Sequence, residues 1–136
     1  MFLLDTNVIS EVRKARPHGA LLQWLRGIPS GSISLSAMTI GELQAGVAKT
    51  RRNDPAKADA LNLWIDAICR THNILPMDSA ITREWAVLMH RKSRALIEDA
   101  MIAATARVHG LTVATRNVKD FAVFDVPILN PFEPPA

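Results

Sequence analysis

The sequence predicts an α/β fold: a parallel sheet of four to five strands with helices on both faces. Three observations carry that prediction. Short apolar runs (FLL, SISLS, ILPM, LTVAT, VPIL) alternate with longer segments whose apolar residues recur at helical spacing. Strands separated by helices pair in parallel through right-handed crossovers. A chain of 136 residues, 49% hydrophobic, is long enough to bury a substantial core in a single domain spanning residues 1–136.

In chain order, Phe2 to Leu4 reads as a short buried strand and Thr6 to Lys14 as a helix that ends before Pro17. Gly19 to Gly27 is a second helix, with Leu21, Leu22, Trp24, Leu25 and Ile28 on a broad apolar stripe. Ser32 to Ser36 alternates apolar residues with serines and reads as a strand, followed by a helix from Ala37 to Lys49 that buries Ile40, Leu43 and Val47. After Pro55 comes a long helix with Leu61, Trp64, Ile65, Ile68 and Cys69 on its apolar face. Ile74 to Met77 is a third strand, and Asp78 or Ser79 caps a helix carrying Ile81, Trp85, Leu88 and Met89. Asp99 to His109 is apolar nearly all round and stops at Gly110, the signature of a buried helix with a left-handed cap. Leu111 to Thr115 is a fourth strand, Asn117 to Phe121 a turn, and Val126 to Leu129 an edge strand.

Composition narrows the function classes. No run of eighteen apolar residues and no basic, apolar, small-residue leader is present, so a membrane span and a signal peptide are not expected and the cytosol is. A lone Cys69 has no internal disulfide partner and reads as packing. The net charge of +3 is modest, but basic residues cluster at Arg13, Lys14 and Arg16, at Lys49, Arg51 and Arg52, and at Arg91, Lys92 and Arg94. Such clusters permit a polyanion partner and are equally compatible with a solvated surface. His18, His72, His90 and His109 show no paired metal-ligand spacing, and no glycine loop opens a helix.

Four acids stand in or beside apolar sequence, where an unpaired carboxylate is costly: Asp5, Glu42, Asp99 and Asp120. Each has an ordinary reading. Asp5 and Asp99 suit helix caps, Glu42 an exposed helix face and Asp120 a turn. In a parallel sheet, however, the strand ends converge on the crevice that usually binds ligands, so Asp5, Asp99 and Thr115 are expected at one edge. Converging carboxylates raise one another's pKa unless a cation joins them, and an all-oxygen set suits Mg²⁺ or Mn²⁺ better than zinc. Around them the Thr6 and Thr115 hydroxyls and the Asn7 and Asn117 amides are placed to hold carboxylates or metal-bound waters, with local capping as the alternative.

These segments resemble those of PIN-domain proteins, in particular the VapC-type toxins of toxin–antitoxin pairs. LLDTNVIS is similar to the family's opening segment, SxxTxGELxxG to its second acidic segment, DAMIAATA to its third, and GLTVATRNVKDF with the terminal LNPF to its last. The resemblance places the metal-binding acids on Asp5, Glu42 and Asp99, leaves Glu98 as an adjacent decoy, and puts the fourth acid at Asn117 or Asp120, of which Asp120 carries the charge. The connection from Trp85 to Asp99 is short for the family, which bears on the substrate groove. The resemblance implies a Mg²⁺- or Mn²⁺-dependent endoribonuclease acting on single-stranded or structured RNA and leaving a 5′-phosphate and a 3′-hydroxyl. It further implies a homodimer, inhibited by an antitoxin that covers the acidic pocket and reaches operator DNA only through that antitoxin. Trp64 and Trp85 read as core residues, with a partner surface as the alternative.

An aspartyl-phosphate hydrolase would need a second Asp two residues after Asp5, where Asn7 stands, and a receiver domain needs an acidic pair that Thr6 and Asn7 do not provide. The rival from another class is a PIN-like module that has lost turnover and only binds.

Overall fold

A computed structural model describes residues 1–134. Its five strands are β1 (Phe2–Leu4), β2 (Ile33–Ser36), β3 (Asn73–Leu75), β4 (Thr112–Ala114) and β5 (Ile128–Leu129), all parallel, in the order β3-β2-β1-β4-β5. The helices are α1 (Thr6–Val12), α2 (Gly19–Gly27), α3 (Ala37–Arg51), α4 (Pro55–Thr71), α5 (Ser79–Met89), α6 (Ile97–His109) and α7 (Val118–Ala122). The chain steps outward from β1 to β3, then returns to lay β4 beside β1. That reversal makes the gap between the carboxyl ends of β1 and β4 the switch point where open α/β sheets bind ligands.

Burial on both faces follows from the two-residue period of a strand. In β1, Leu3 packs with Val113, Ala103 and Phe121 on one side, while Leu4 packs with Ala114, Leu35, Val8 and Leu21 on the other. α5, α6 and α7 cover the first face; α1, α2 and α4 cover the second, and α3 and α4 close a smaller core around Val47, Ala58 and Ile65. Ala100, Ala103, Ala104 and Ala106 of α6 are fully buried, and their small side chains let the helix backbone approach the sheet closely. Gly110, at φ +65°, ends α6 in the left-handed cap its position predicts. Asp78 is the residue that caps α5, its Oδ1 accepting the Ile81 N–H at 3.0 Å, and Pro55 occupies the first turn of α4 behind the Asp54 cap.

Several boundaries differ from the sequence reading. α1 stops at Val12 because Arg13 and Lys14 donate to Ser10 and Glu11 three residues back, tightening the last turn out of the helix. α3 runs on to Arg51, and the third strand is Asn73–Leu75. The segment read as a turn at Asn117 to Phe121 contains a single helical stretch, α7, which buries Phe121. Asp99 does not cap α6: a 3₁₀ turn at Arg94–Leu96, capped by the Ser93 hydroxyl, leads directly into the helix, leaving Asp99 inside its first turn. Cys69 is exposed rather than packed; it lies one residue past buried Ile68, at the margin of the apolar arc. Ile40 and Leu43 are only partly buried.

Candidate active site

The chain leaves β1 at Asp5, whose N–H donates to the Ala114 carbonyl at 2.9 Å and so ties the residue to β4. With ψ 158° the backbone is still extended, and α1 begins at the next residue. Only 4% of Asp5 is exposed. Its Oδ1 accepts the Thr6 N–H at 2.8 Å and its Oδ2 accepts the Thr115 hydroxyl at 2.7 Å. Burial raises its pKa; the two hydrogen bonds oppose that, and the nearby charge of Asp120 adds to it.

Thr6 reaches the other way. Its hydroxyl donates to Glu42 Oε1 at 2.8 Å and stands 3.2 Å from the fully buried Thr39 hydroxyl. A hydroxyl has one proton, so with that proton on Glu42 the Thr39 hydroxyl is the donor to Thr6. α1 and α3 are thereby joined through a chain of three side chains ending on a half-buried carboxylate. Burial first, and the charges of Asp5 and Glu98 after the opposing Thr6 bond, push the Glu42 pKa up. Asp99 projects from α6 with its pKa raised to about 6, by burial and then by Asp5, Asp120, Glu42 and Glu98 in turn. Asp120 is exposed in α7, and its charge is felt at both Asp5 and Asp99.

The fold therefore brings Asp5, Glu42, Asp99 and Asp120 into one electrostatic neighbourhood. Glu98 joins them at its edge. Among the described residues the ion pairs are Lys14–Glu11, Arg51–Asp59, Arg107–Glu84 and Arg107–Asp125, so no Lys or Arg neutralises any of the four. As they stand, no three or more His, Cys, Asp or Glu side chains among the described residues are grouped closely enough to hold a metal ion together. The donor chemistry nonetheless fits Mg²⁺, which favours hard oxygen ligands, retains several waters and takes only one or two carboxylates directly.

The supporting polar residues divide. The Thr6 and Thr115 hydroxyls each donate to a carboxylate. The two asparagines build the loop after β4. Asn7 Oδ1 accepts the Arg116 N–H at 3.3 Å and its amide stands 3.5 Å from the Thr115 hydroxyl, while Asn117 acts through its backbone N–H, which donates to Thr115 Oγ1 at 2.9 Å. Thr39, the threonine of SxxTxGELxxG, was given no role of its own from the sequence; its place three residues before Glu42, one helical turn away, is the signal for it.

The PIN domain family model matches residues 2–126. The VapC ribonuclease Y4jK of Sinorhizobium fredii is 37% identical over 139 residues, covering 98% of this chain and 99% of that protein. Toxin FitB of Neisseria gonorrhoeae is 35% identical over 144 residues, covering 97% and 99%. Among solved structures, a chain of FitAB bound to an IR36 DNA fragment superposes with a TM-score of 0.86 at 34% identity, covering 100% of this chain and 99% of that one. Matched almost end to end by these proteins, the chain belongs to the PIN-domain family, in the group that includes VapC and FitB.

Proposed function

We propose that the protein is a Mg²⁺-dependent endoribonuclease, with Mn²⁺ able to replace Mg²⁺, and the toxin of a toxin–antitoxin pair. Its substrate is single-stranded or structured RNA, cut by water to leave a 5′-phosphate and a 3′-hydroxyl. The observation that carries this reading is the charge coupling of four acids around the β1/β4 switch point, none of them ion-paired to a Lys or Arg among the described residues. Asp5, Asp99, Glu42 and Asp120 would hold the ion. The chemistry a bound Mg²⁺ supplies there is activation of a water and relief of the charge that grows on the phosphate. Thr115 fixes the direction of the Asp5 carboxylate, and Thr6 fixes that of Glu42. Asp99, with its pKa raised to about 6, carries a proton below that pH when no cation is near, and a bound Mg²⁺ would favour its ionised form.

The partners follow the same reading: a cognate antitoxin whose segment lies over the acids, operator DNA reached only through it, and a second copy of this chain. The FitAB complex on DNA, matched over its whole toxin chain, supports the antitoxin. The cytosol is the compartment in which RNA and antitoxin are met, and among the described residues no helix is long and apolar enough to cross a membrane. The basic loop at Arg91, Lys92 and Arg94 precedes α6 on the side of Asp99 and guides the RNA; removing its charges should flatten the salt dependence of binding.

The test is RNA cleavage with Mg²⁺, with EDTA, and by the Asp5→Asn variant. Asn is as good a helix cap as Asp, so this variant should fold. Cleavage that needs Mg²⁺ and vanishes in Asp5→Asn is expected; undiminished cleavage by the variant would end the assignment. RNA binding with no cleavage under any metal would favour the idle-module reading.

A further inference from the structure

Outside α7 lies a hollow of about 430 Å³ whose lining includes Arg116, Asn117, Lys119, Asp120, Asn130 and Glu133. It touches the acidic site through Asp120, yet two cations face it, and neither has an ion-pair partner among the described residues. Arg116 is exposed but not loose. Its guanidinium carbon stands 3.7 Å from the centroid of the Phe132 ring, and its backbone N–H is held by Asn7. Phe132 is itself 7% exposed and fixed from both sides: its N–H donates to Asn130 Oδ1 at 3.0 Å, and the His18 ring meets its own ring edge-on at 5.4 Å. The terminal LNPF segment thus seats an aromatic platform beneath a cation next to the acids. A guanidinium held in this way loses little freedom on meeting a phosphate and presents a flat fork of donors to it.

We propose that this hollow is a phosphate subsite for the RNA backbone, in which Arg116, with Lys119 beside it, grips a phosphodiester neighbouring the one to be cut. The proposal rests on RNA being the ligand. Arg116 acts as a positioning residue: it aligns the strand so that the scissile phosphate falls over Asp5 and Asp99. Glu133 lines the same hollow with the opposite sign and weakens the grip. The basic loop at Arg91 to Arg94 lacks such a platform and steers the strand without fixing its register.

Binding of a short fluorescein-labelled single-stranded RNA, followed by anisotropy in EDTA across a salt series, tests this without turnover. Arg116→Gln should weaken binding about tenfold at low salt and lower the logarithmic salt slope by about 0.7. Glu133→Gln should tighten binding several-fold, an effect that a merely structural role would not produce, and Arg116→Lys should recover part of the loss. With Mg²⁺, the Arg116→Gln loss should appear mainly in KM. Wild-type affinity and slope in Arg116→Gln, or no tightening in Glu133→Gln, would overturn the subsite; should Arg116→Gln melt early, Lys119→Gln and Glu133→Gln decide it. RNA that binds with this charge dependence but is never cut leaves the subsite standing and removes the nuclease reading. RNA that is cut with indifference to Arg116 does the reverse.

Discussion

The two edges of the sheet use acids in opposite ways. At the amino edge, Arg107 near the end of α6 gathers two of them: its Nε donates to Glu84 Oε1 at 2.7 Å, and its Nη1 donates to the Asp125 carbonyl and lies 3.6 Å from Asp125 Oδ2. Asp125 adopts a left-handed φ of 50° there. A hollow of about 410 Å³ lies alongside, lined by these already paired groups. At the carboxyl edge four acids feel one another's charge, and none of them has an ion-pair partner among the described residues. Acid count therefore does not separate a structural cluster from a reactive one. The sign left over after local pairing does, because an unbalanced group of carboxylates raises its members' pKa values and awaits a cation from outside.

Substitutions at the two edges should break this contrast in different currencies. The largest effect is expected for Asp99→Asn, which should lower RNA cleavage by more than the roughly 100-fold that loss of a supporting residue costs. Thr115→Val comes next: without the hydroxyl that orients Asp5, cleavage by folded protein should drop about 10- to 100-fold, and Thr115→Ser should restore most of it. Arg107→Leu, at the other edge, should cost about 1 kcal/mol of stability, seen as a lower Tm, with activity per folded molecule unchanged. The smallest effect concerns pH. The Asp99 pKa is raised on folding, so the folded state binds the extra proton and metal-free stability falls as pH rises toward and through about 6. Discounted for the partial exposure of this group, metal-free protein should be about 0.5 kcal/mol more stable at pH 5 than at pH 7.5. Mg²⁺ should reverse that order by binding the ionised form.

The fold was readable because its signals are local. The two-residue period of Leu3 and Leu4, the helical stripe of Ile65 and Ile68, and the glycine after His109 each dictate backbone geometry on their own. The acids were readable for a related reason: Asp5, Glu42 and Asp99 are anomalies against apolar surroundings. What stayed hidden depends on tertiary partners. Cys69 has the right neighbours in sequence yet lies at the margin of its helix's buried arc, where nothing covers it. Asp99 falls inside α6 because the 3₁₀ turn before it starts the helix early. Asn7 and Asn117 were expected to hold carboxylates or metal-bound waters, or else to cap locally, and no rule of spacing says that Asn7 reaches across to the Arg116 N–H. Arg116 on Phe132 joins residues sixteen apart, so only the folded chain displays it.

The central claim is that the carboxyl-edge acids form a cation site. Manganese binding, followed by the loss of the free Mn²⁺ electron paramagnetic resonance signal, tests it most directly, using wild type, Asp5→Asn and Arg107→Leu in parallel. Wild type and Arg107→Leu should take up Mn²⁺ alike, and Asp5→Asn should leave it free. Mn²⁺ ignored by the wild type, or bound equally well after Asp5→Asn, would contradict the account.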